Sequence, residues 1–128
     1  MRAFVLDAYG AIPDHVRLAN IADPVAGPDE VLIEIHAASL NPIDFKIVRG
    51  DLKQVSKYRL PRPFGFDASG IVLSAGARAT RFKPGDAVYA RAPRDAIGTF
   101  AERIALPEKF VANKPMATSH AEAASLPL

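Results

Sequence analysis

The 128 residues are enough for one domain of ordinary size and too few for two. Hydrophobic residues make up 49% of the chain and charged residues 23%, a globular composition that excludes a disordered tail. Because there is no cysteine, disulfide scaffolds, thiol catalysis and cysteine-bound zinc are excluded. The net charge of +2 is too small to indicate a nucleic-acid partner.

The chain has no feature that points to a membrane. No apolar run approaches the roughly 20 residues that a membrane-spanning helix needs, and the apolar stretch at the N-terminus is too short for a signal peptide. We therefore expect no membrane partner and a cytoplasmic location. The three histidines, His15, His36 and His120, do not form a metal-binding pattern by spacing.

Turn residues and alternating hydrophobicity predict a mainly β architecture with short helices. Eleven prolines and eight glycines favour strands joined by turns over a helical bundle. The predicted strands cover residues 2–6, 16–18, 30–40, 67–74, 87–90 and 100–106. In the clearest one, 30–40, Val31 and Ile33 share an apolar face with Ile35 and Ala37, which leaves Glu34 and His36 on the polar face. Pro84-Gly85 fits the centre of a type II turn.

A helix is predicted directly after that strand, from Pro42 to Arg49. Asn41 is a good N-cap, and Pro42 fits the first helical position. Asp44 falls in the first turn, where its charge favours the helix dipole, and Gly50 can close the C-terminus. These local features agree on the same helix.

The segment that follows is basic and is predicted to be an exposed loop over residues 51–63. Between Lys46 and Arg62 lie six basic residues and one acid, so this stretch carries 6 − 1 = +5. It can steer an anionic dinucleotide or an acidic substrate. A solvated basic loop without such a role is the alternative.

The last ten residues predict a short helix. Ser119 and Glu122 have the spacing of a capping box, and alanine-rich sequence follows. A helix of one or two turns at a chain end is marginal in isolation. Either it docks on the domain or the sequence is cut where another element begins; we expect the cut, with residues 119–128 starting a crossover.

Local chemistry alone identifies no active site. The chain lacks a glycine-rich dinucleotide fingerprint, a G-x-S-x-G elbow, an H-E-x-x-H motif and a C-x-x-C motif. On this evidence it is a β-rich domain without an autonomous catalytic centre.

Five motifs in order nevertheless resemble a medium-chain dehydrogenase/reductase of the zinc-independent quinone oxidoreductase or enone reductase type. They are Asn41–Lys46, Pro63–Gly70, Phe82–Tyr89, Gly98–Glu102 and Ala121–Leu128. The resemblance implies that residues 1–128 form the GroES-like, substrate-side domain, a partly open β-barrel. It also implies that the Rossmann domain, which holds most of the NADPH contacts, is absent from this chain.

The resemblance also bears on zinc. Zinc-dependent members of the superfamily carry ligands at the positions of Asn41 and Phe66, and a third close to Leu128. An amide and two hydrocarbon side chains are poor zinc ligands. We therefore expect no catalytic zinc.

The implied activity is NADPH-dependent reduction of quinones or of the C=C bond of α,β-unsaturated carbonyls by hydride transfer. Asn41 and Lys46 are the predicted catalytic and cofactor-binding residues, because developing charge on the substrate oxygen needs a donor or a cation. Tyr58 is a further candidate donor, and Tyr58 and Phe66 are assigned to the substrate pocket. Asn41 as a helix cap only, Lys46 as a solvated lysine and Phe66 as a filler of the missing zinc's space are the alternatives.

The full-length protein is expected to be a homodimer, and this chain alone is expected neither to bind NADPH tightly nor to turn over. A stand-alone GroES-like module for binding or oligomerisation, without catalysis, is the alternative function. An acyl-thioester enoyl reductase of the same superfamily also stays open, since the motifs do not set substrate choice.

Overall fold

The computed structural model describes all 128 residues. Its elements, in chain order, are β1 (Arg2–Leu6), β2 (Val16–Asn20), β3 (Glu30–Ser39), α1 (Pro42–Arg49), β4 (Arg62–Pro63), β5 (Asp67–Ala75), β6 (Ala87–Arg91), β7 (Arg103–Pro107), β8 (Val111–Asn113) and α2 (His120–Ala124). The mainly β architecture with short helices is confirmed. Neither helix is long and apolar enough to cross a membrane.

The strands form two antiparallel sheets. One has the order β2-β1-β4 and the other β7-β3-β5-β6-β8. A bridge between Ala3 and Ala101 joins them, and the Phe4 backbone N–H donates to the Phe100 carbonyl at 2.8 Å. No strand pair is parallel, and a doubly wound nucleotide-binding fold needs parallel strands. The strands therefore form two open antiparallel sheets, in agreement with the predicted mainly β, partly open architecture.

Strand β3 follows the predicted alternation. Val31 and Ile33 are buried, Ile35 and Ala37 are half-buried, and His36 is exposed. Ile35 packs against the apolar cluster that contains Val31 and Ile33. Bulges between Leu32 and Ile33 and between Ile35 and Ala37 interrupt the pairing with β5 without reversing this pattern.

Helix α1 has the predicted bounds because its capping residues act locally. Asn41 has extended backbone angles, and its N–H donates to Asp44 Oδ2 at 2.7 Å. Gly50 ends the helix at φ 82°, in the left-handed region that glycine adopts without strain. The buried face of the helix carries Ile47 and Val48.

Three strand predictions need correction. The predicted loop 51–63 contains β4, which pairs with β1. The strand predicted from residue 100 begins at Arg103, because Ala101 makes only an isolated bridge. Strand β8 was not predicted, and it pairs with β6. Such short strands exist only because a partner strand supplies their hydrogen bonds.

The C-terminal helix α2 docks on the larger sheet. Its capping box is confirmed: Ser119 Oγ accepts from the Glu122 N–H at 3.1 Å, and Glu122 Oε2 accepts from the Ser119 N–H at 3.0 Å. Ala123 and Ala124 are buried where α2 meets β3, β5 and β6. Of the two options for this segment, docking is what the structure shows. That residues 119–128 begin a crossover stays a prediction.

The buried apolar residues form two clusters. The sheet core comprises Val31, Ile33, Val72, Ala79, Phe82, Val88, Ala90, Ala92, Ile104, Leu106 and Val111. The aromatic core comprises Leu6, Ile47, Val48, Phe64, Phe66 and Ile97. The aromatic core lies against α1, next to the residues that the motifs single out.

Candidate functional site

Asn41 lies where the end of β3, the start of α1 and the start of β5 meet. Its side-chain Nδ2 donates to Asp67 Oδ2 at 3.0 Å and to Ser39 Oγ at 3.2 Å. The sequence argument placed these amide hydrogens toward the cleft. The structure instead engages them with two neighbours inside the domain, which hold the amide in one orientation.

Asp67 is a fully buried carboxylate beneath Asn41. Besides the Asn41 amide, its Oδ2 accepts from Ser39 Oγ at 3.2 Å, while Oδ1 has no hydrogen-bond partner. Burial raises the pKa of Asp67, and the bonds from Asn41 and Ser39 oppose that rise. The Asp67 carboxylate thus holds the Asn41 amide in place, although burying the carboxylate lowers the stability of the fold.

Asp44 is a second buried carboxylate in the same place. Its Oδ2 caps the first turn of α1 through the Asn41 N–H, and its Oδ1 has no partner. Burial raises the pKa of Asp44, and the charge of Asp67 raises it further. Two carboxyl groups that hold protons more tightly than usual therefore flank Asn41.

Lys46 projects from α1 into solvent. It is exposed and has neither an ion-pair partner nor a side-chain hydrogen bond. Its charge is therefore available to an anionic group, which is also the state of an ordinary solvated lysine.

Phe66 is only 2% exposed and belongs to the aromatic core. Its edge lines an open cavity of about 440 Å³ together with Arg91, Arg94 and Lys109. The Arg91 guanidinium carbon lies 5.9 Å from the ring centroid. This burial agrees with the alternative in which the ring fills the space of the missing zinc, and the ring lies beside a cavity lined by basic side chains.

Tyr58 packs against the same aromatic core from the basic loop. The Arg62 guanidinium carbon lies 5.0 Å from its ring centroid, and its backbone N–H donates to Tyr9 Oη at 2.8 Å. The Tyr58 hydroxyl is buried without a partner, and burial raises its pKa. The Tyr58 hydroxyl is therefore neutral near pH 7.

The structure brings some predicted residues together and separates others. Asn41 and the Phe66-Asp67 pair meet at the N-terminus of α1, and Tyr58 and Phe66 share the aromatic core, while Lys46 stands apart in solvent. The sequence argument quoted Asp67 within a motif and gave it no role. An acidic residue at the start of a strand whose other residues are small or apolar is the signal that could have identified it.

Metal-ligating side chains do not gather in this region. The structure has no group of three or more histidine, cysteine, aspartate or glutamate side chains arranged to hold a metal ion.

Comparison with known proteins places this geometry in a family. Residues 27–116 match the family model of the alcohol dehydrogenase GroES-like domain. The chain is 41% identical to a 2-methylene-furan-3-one reductase of Solanum lycopersicum, over the whole chain and 34% of that protein. It is 38% identical to an NADPH-dependent alkenal/one oxidoreductase, chloroplastic, of Arabidopsis thaliana, again over the whole chain and 34% of that protein.

A solved structure of a similar protein has the same fold. The quinone oxidoreductase from Coxiella burnetii superposes with a TM-score of 0.88 at 33% identity, over 99% of this chain and 41% of that one. The chain thus spans roughly a third of the length of the curated relatives described above. It belongs to the alcohol dehydrogenase GroES-like domain family and resembles the corresponding domain of quinone and enone reductases.

Proposed function

We propose that this chain is the substrate-side domain of a zinc-independent reductase that transfers hydride from NADPH to quinones or to the C=C bond of α,β-unsaturated carbonyls. The observation that carries the proposal is the bonding of Asn41. At a position where zinc-dependent members have a ligand, its amide is committed to Asp67 and Ser39. Phe66, at a second ligand position, offers only hydrocarbon, as does Leu128, close to which the third ligand falls, and these side chains do not suit zinc.

The substrate class rests on the names of the relatives. Those names describe a methylene-furanone reductase, an alkenal/one oxidoreductase and a quinone oxidoreductase. All three acceptors are electron-poor and gain negative charge on an oxygen when hydride arrives. The domain must therefore supply donors or a cation near that oxygen.

Each predicted residue then has a role in keeping with its surroundings. Asn41, whose amide hydrogens bond Asp67 and Ser39, acts as a positioning residue that fixes the start of α1 beside the proposed cleft. We assign the Tyr58 side chain, which packs on the aromatic core beside Arg62, to the substrate pocket. Phe66, a buried ring that lines the cavity beside Arg91, forms an apolar wall.

NADPH, when bound, supplies the hydride. We assign the NADPH contact of this chain to Lys46, an exposed cation without a partner that suits a ribose or phosphate oxygen. Because the chain has no glycine-rich turn between a strand and a helix, we expect it to hold one edge of the cofactor and no more. The remaining contacts are assigned to a Rossmann domain, toward which residues 119–128 would cross.

A homodimer and a cytoplasmic location remain predictions. The names of some relatives place those proteins in chloroplasts or mitochondria.

A pair of lysine variants in the gene's full product tests the cofactor assignment. Lys46→Ala should raise the KM for NADPH in enone reduction, because it removes a cation from the cofactor's edge. Lys53→Ala is the matched control, since Lys53 is equally exposed in the same basic stretch. Equal kinetics for the two variants would contradict the role of Lys46.

The domain assignment is tested by the intact mass of the protein expressed from its own gene in its own cell and by NADPH titration of this chain. We expect a mass above 13.7 kDa by a further domain, and weak binding to the chain alone. Micromolar affinity of the 128-residue chain for NADPH would favour a self-contained binding module instead.

A further inference from the structure

Two histidines that are remote in the sequence meet at the junction of α2 with the larger sheet. His36 lies at the bulge of β3, and His120 is the first residue of α2. Their ring centroids are 4.8 Å apart, with the planes tilted by 48°. No role in the proposed function requires this pair.

The hydrogen bonds of Ser69 determine the tautomer of His120. The Ser69 hydroxyl has one hydrogen, which it donates to the Val88 carbonyl at 2.8 Å. Ser69 Oγ can therefore only accept from His120 Nδ1, which lies 2.7 Å away. The proton of neutral His120 is on Nδ1, and Nε2 carries a lone pair.

His36 is oriented in the same way by a carboxylate. Its Nε2 lies 2.9 Å from Glu34 Oε1, and an ionised carboxylate only accepts hydrogen bonds. The proton of neutral His36 is therefore on Nε2, and Nδ1 carries the lone pair. Neither His36 Nδ1 nor His120 Nε2 has a hydrogen-bond partner in the chain.

The separation of the rings matches that of two imidazoles bound to one ion. With metal–nitrogen bonds of about 2 Å and tetrahedral angles, two such rings have centroids about 5 Å apart. Metal-bound histidines also usually donate their other N–H to a carboxylate or similar acceptor. Glu34 and Ser69 supply those acceptors here.

We propose that His36 and His120 form a two-histidine site for a divalent late transition-metal ion, Zn²⁺ or Cu²⁺, whose remaining positions are filled by water. Imidazole nitrogen suits these ions. The site is distinct from the three positions that hold catalytic zinc in related enzymes, and it does not depend on the proposed reductase activity. An ion bound there would tie α2 to β3 and strengthen the docking of the C-terminal segment.

Zinc titration of the 128-residue chain tests the site, with each histidine replaced in turn. The wild-type chain should bind one Zn²⁺ in calorimetry, and Zn²⁺ should raise its Tm relative to EDTA because the ion binds the folded state. H36Q and H120Q should each weaken binding about tenfold or more, as should E34Q to a smaller degree. H15Q, at the remaining histidine, is the matched control and should bind as the wild type does.

Copper spectroscopy provides a second readout that does not depend on the stability of α2. The electron paramagnetic resonance spectrum of the Cu²⁺ complex should show coupling to two imidazole nitrogens in the wild type and to one in H36Q. Since the His36 side chain is exposed on β3, H36Q should fold even if H120Q releases α2. Absence of saturable binding, unchanged binding in H36Q, or loss of binding in H15Q would overturn the proposal.

Discussion

The two hydrophobic clusters of this domain differ in whether the buried polar atoms beside them have hydrogen-bond partners. The sheet core is built from aliphatic residues and one phenylalanine, and the hydroxyl of the adjacent buried Ser69 has partners on both sides. The aromatic core contains two phenylalanines, and its surroundings are not satisfied in the same way.

All of the buried side-chain atoms without a hydrogen-bond partner lie around the aromatic core. They are Asp44 Oδ1, Tyr58 Oη, Arg62 Nε, Asp67 Oδ1 and Thr99 Oγ1. Unpaired buried polar atoms destabilise a fold, so their concentration in one region needs an explanation other than stability. The sheet core therefore supports the domain, while the aromatic core retains polar groups for the proposed site, which includes Tyr58.

The largest expected effect is a cavity in the sheet core. Leu106→Ala should lower the free energy of unfolding by about 2 to 5 kcal/mol, because Leu106 is fully buried and its neighbours cannot close the gap. Leu18→Ala, at a side chain that is 58% exposed, is the control and should change it by less than about 0.5 kcal/mol. Urea denaturation measures both. Equal losses would mean that the sheet core does not dominate stability.

Removing one hydroxyl from each region should change the free energy of unfolding in opposite directions. Ser69→Ala should destabilise by about 1 to 2 kcal/mol, because it leaves the Val88 carbonyl and His120 Nδ1 without their partner. Thr99→Val should stabilise by about 1 kcal/mol, because the buried Thr99 Oγ1 has no partner to lose. Urea denaturation of the two variants decides the point. A destabilised Thr99→Val variant would reveal a bond to Oγ1 and weaken the comparison.

The buried carboxylates should give the aromatic region its own pH dependence. Because burial raises the pKa of Asp44 and Asp67, the folded chain keeps their protons to a higher pH than the unfolded chain does. The stability that Asp44 and Asp67 contribute through this proton binding is fully present below the ordinary aspartate pKa of about 3.9. It is lost as the pH rises through their raised pKa values in the folded chain.

Because asparagine does not titrate, Asp67→Asn should remove part of this loss of stability with rising pH. Its stability relative to the wild type should therefore increase as the pH is raised from about 4 to 7. Exposed carboxylates such as Asp29 and Glu102 have lowered pKa values and contribute with the opposite sign, so the difference between the two chains is the informative quantity. A constant difference across this range would show that Asp67 titrates normally.

The smallest effect is expected at the surface, away from both cores. Arg78 forms a two-pronged ion pair with Asp29, with nitrogen–oxygen distances of 2.8 and 2.6 Å. Both side chains are well exposed, and solvent screens such pairs. Arg78→Gln should leave the Tm unchanged within error at physiological salt. A clear drop would mean that the surface contributes on the scale of the aromatic region.

Local features were enough to predict the elements whose determinants lie close together in the chain. Helix α1 follows from Asn41, Pro42, Asp44 and Gly50, all within one short segment, and its predicted bounds are the observed ones. The type II turn at Pro84-Gly85 follows in the same way: the Asp86 N–H donates to the Lys83 carbonyl at 3.1 Å, and Gly85 has a φ of 94°. These predictions hold because capping and turn formation are short-range interactions.

Other features depend on residues that only the folded chain brings together. Strand β8 needs β6 beside it. Asn41 could be identified from sequence as a helix cap, but its bond to Asp67, 26 residues away, could not. The same holds for His36 and His120, which meet through the docking of α2. Propensity and periodicity describe one segment at a time, whereas burial, unpaired polar atoms and shared ligands arise from the packing of several segments, which tertiary structure alone decides.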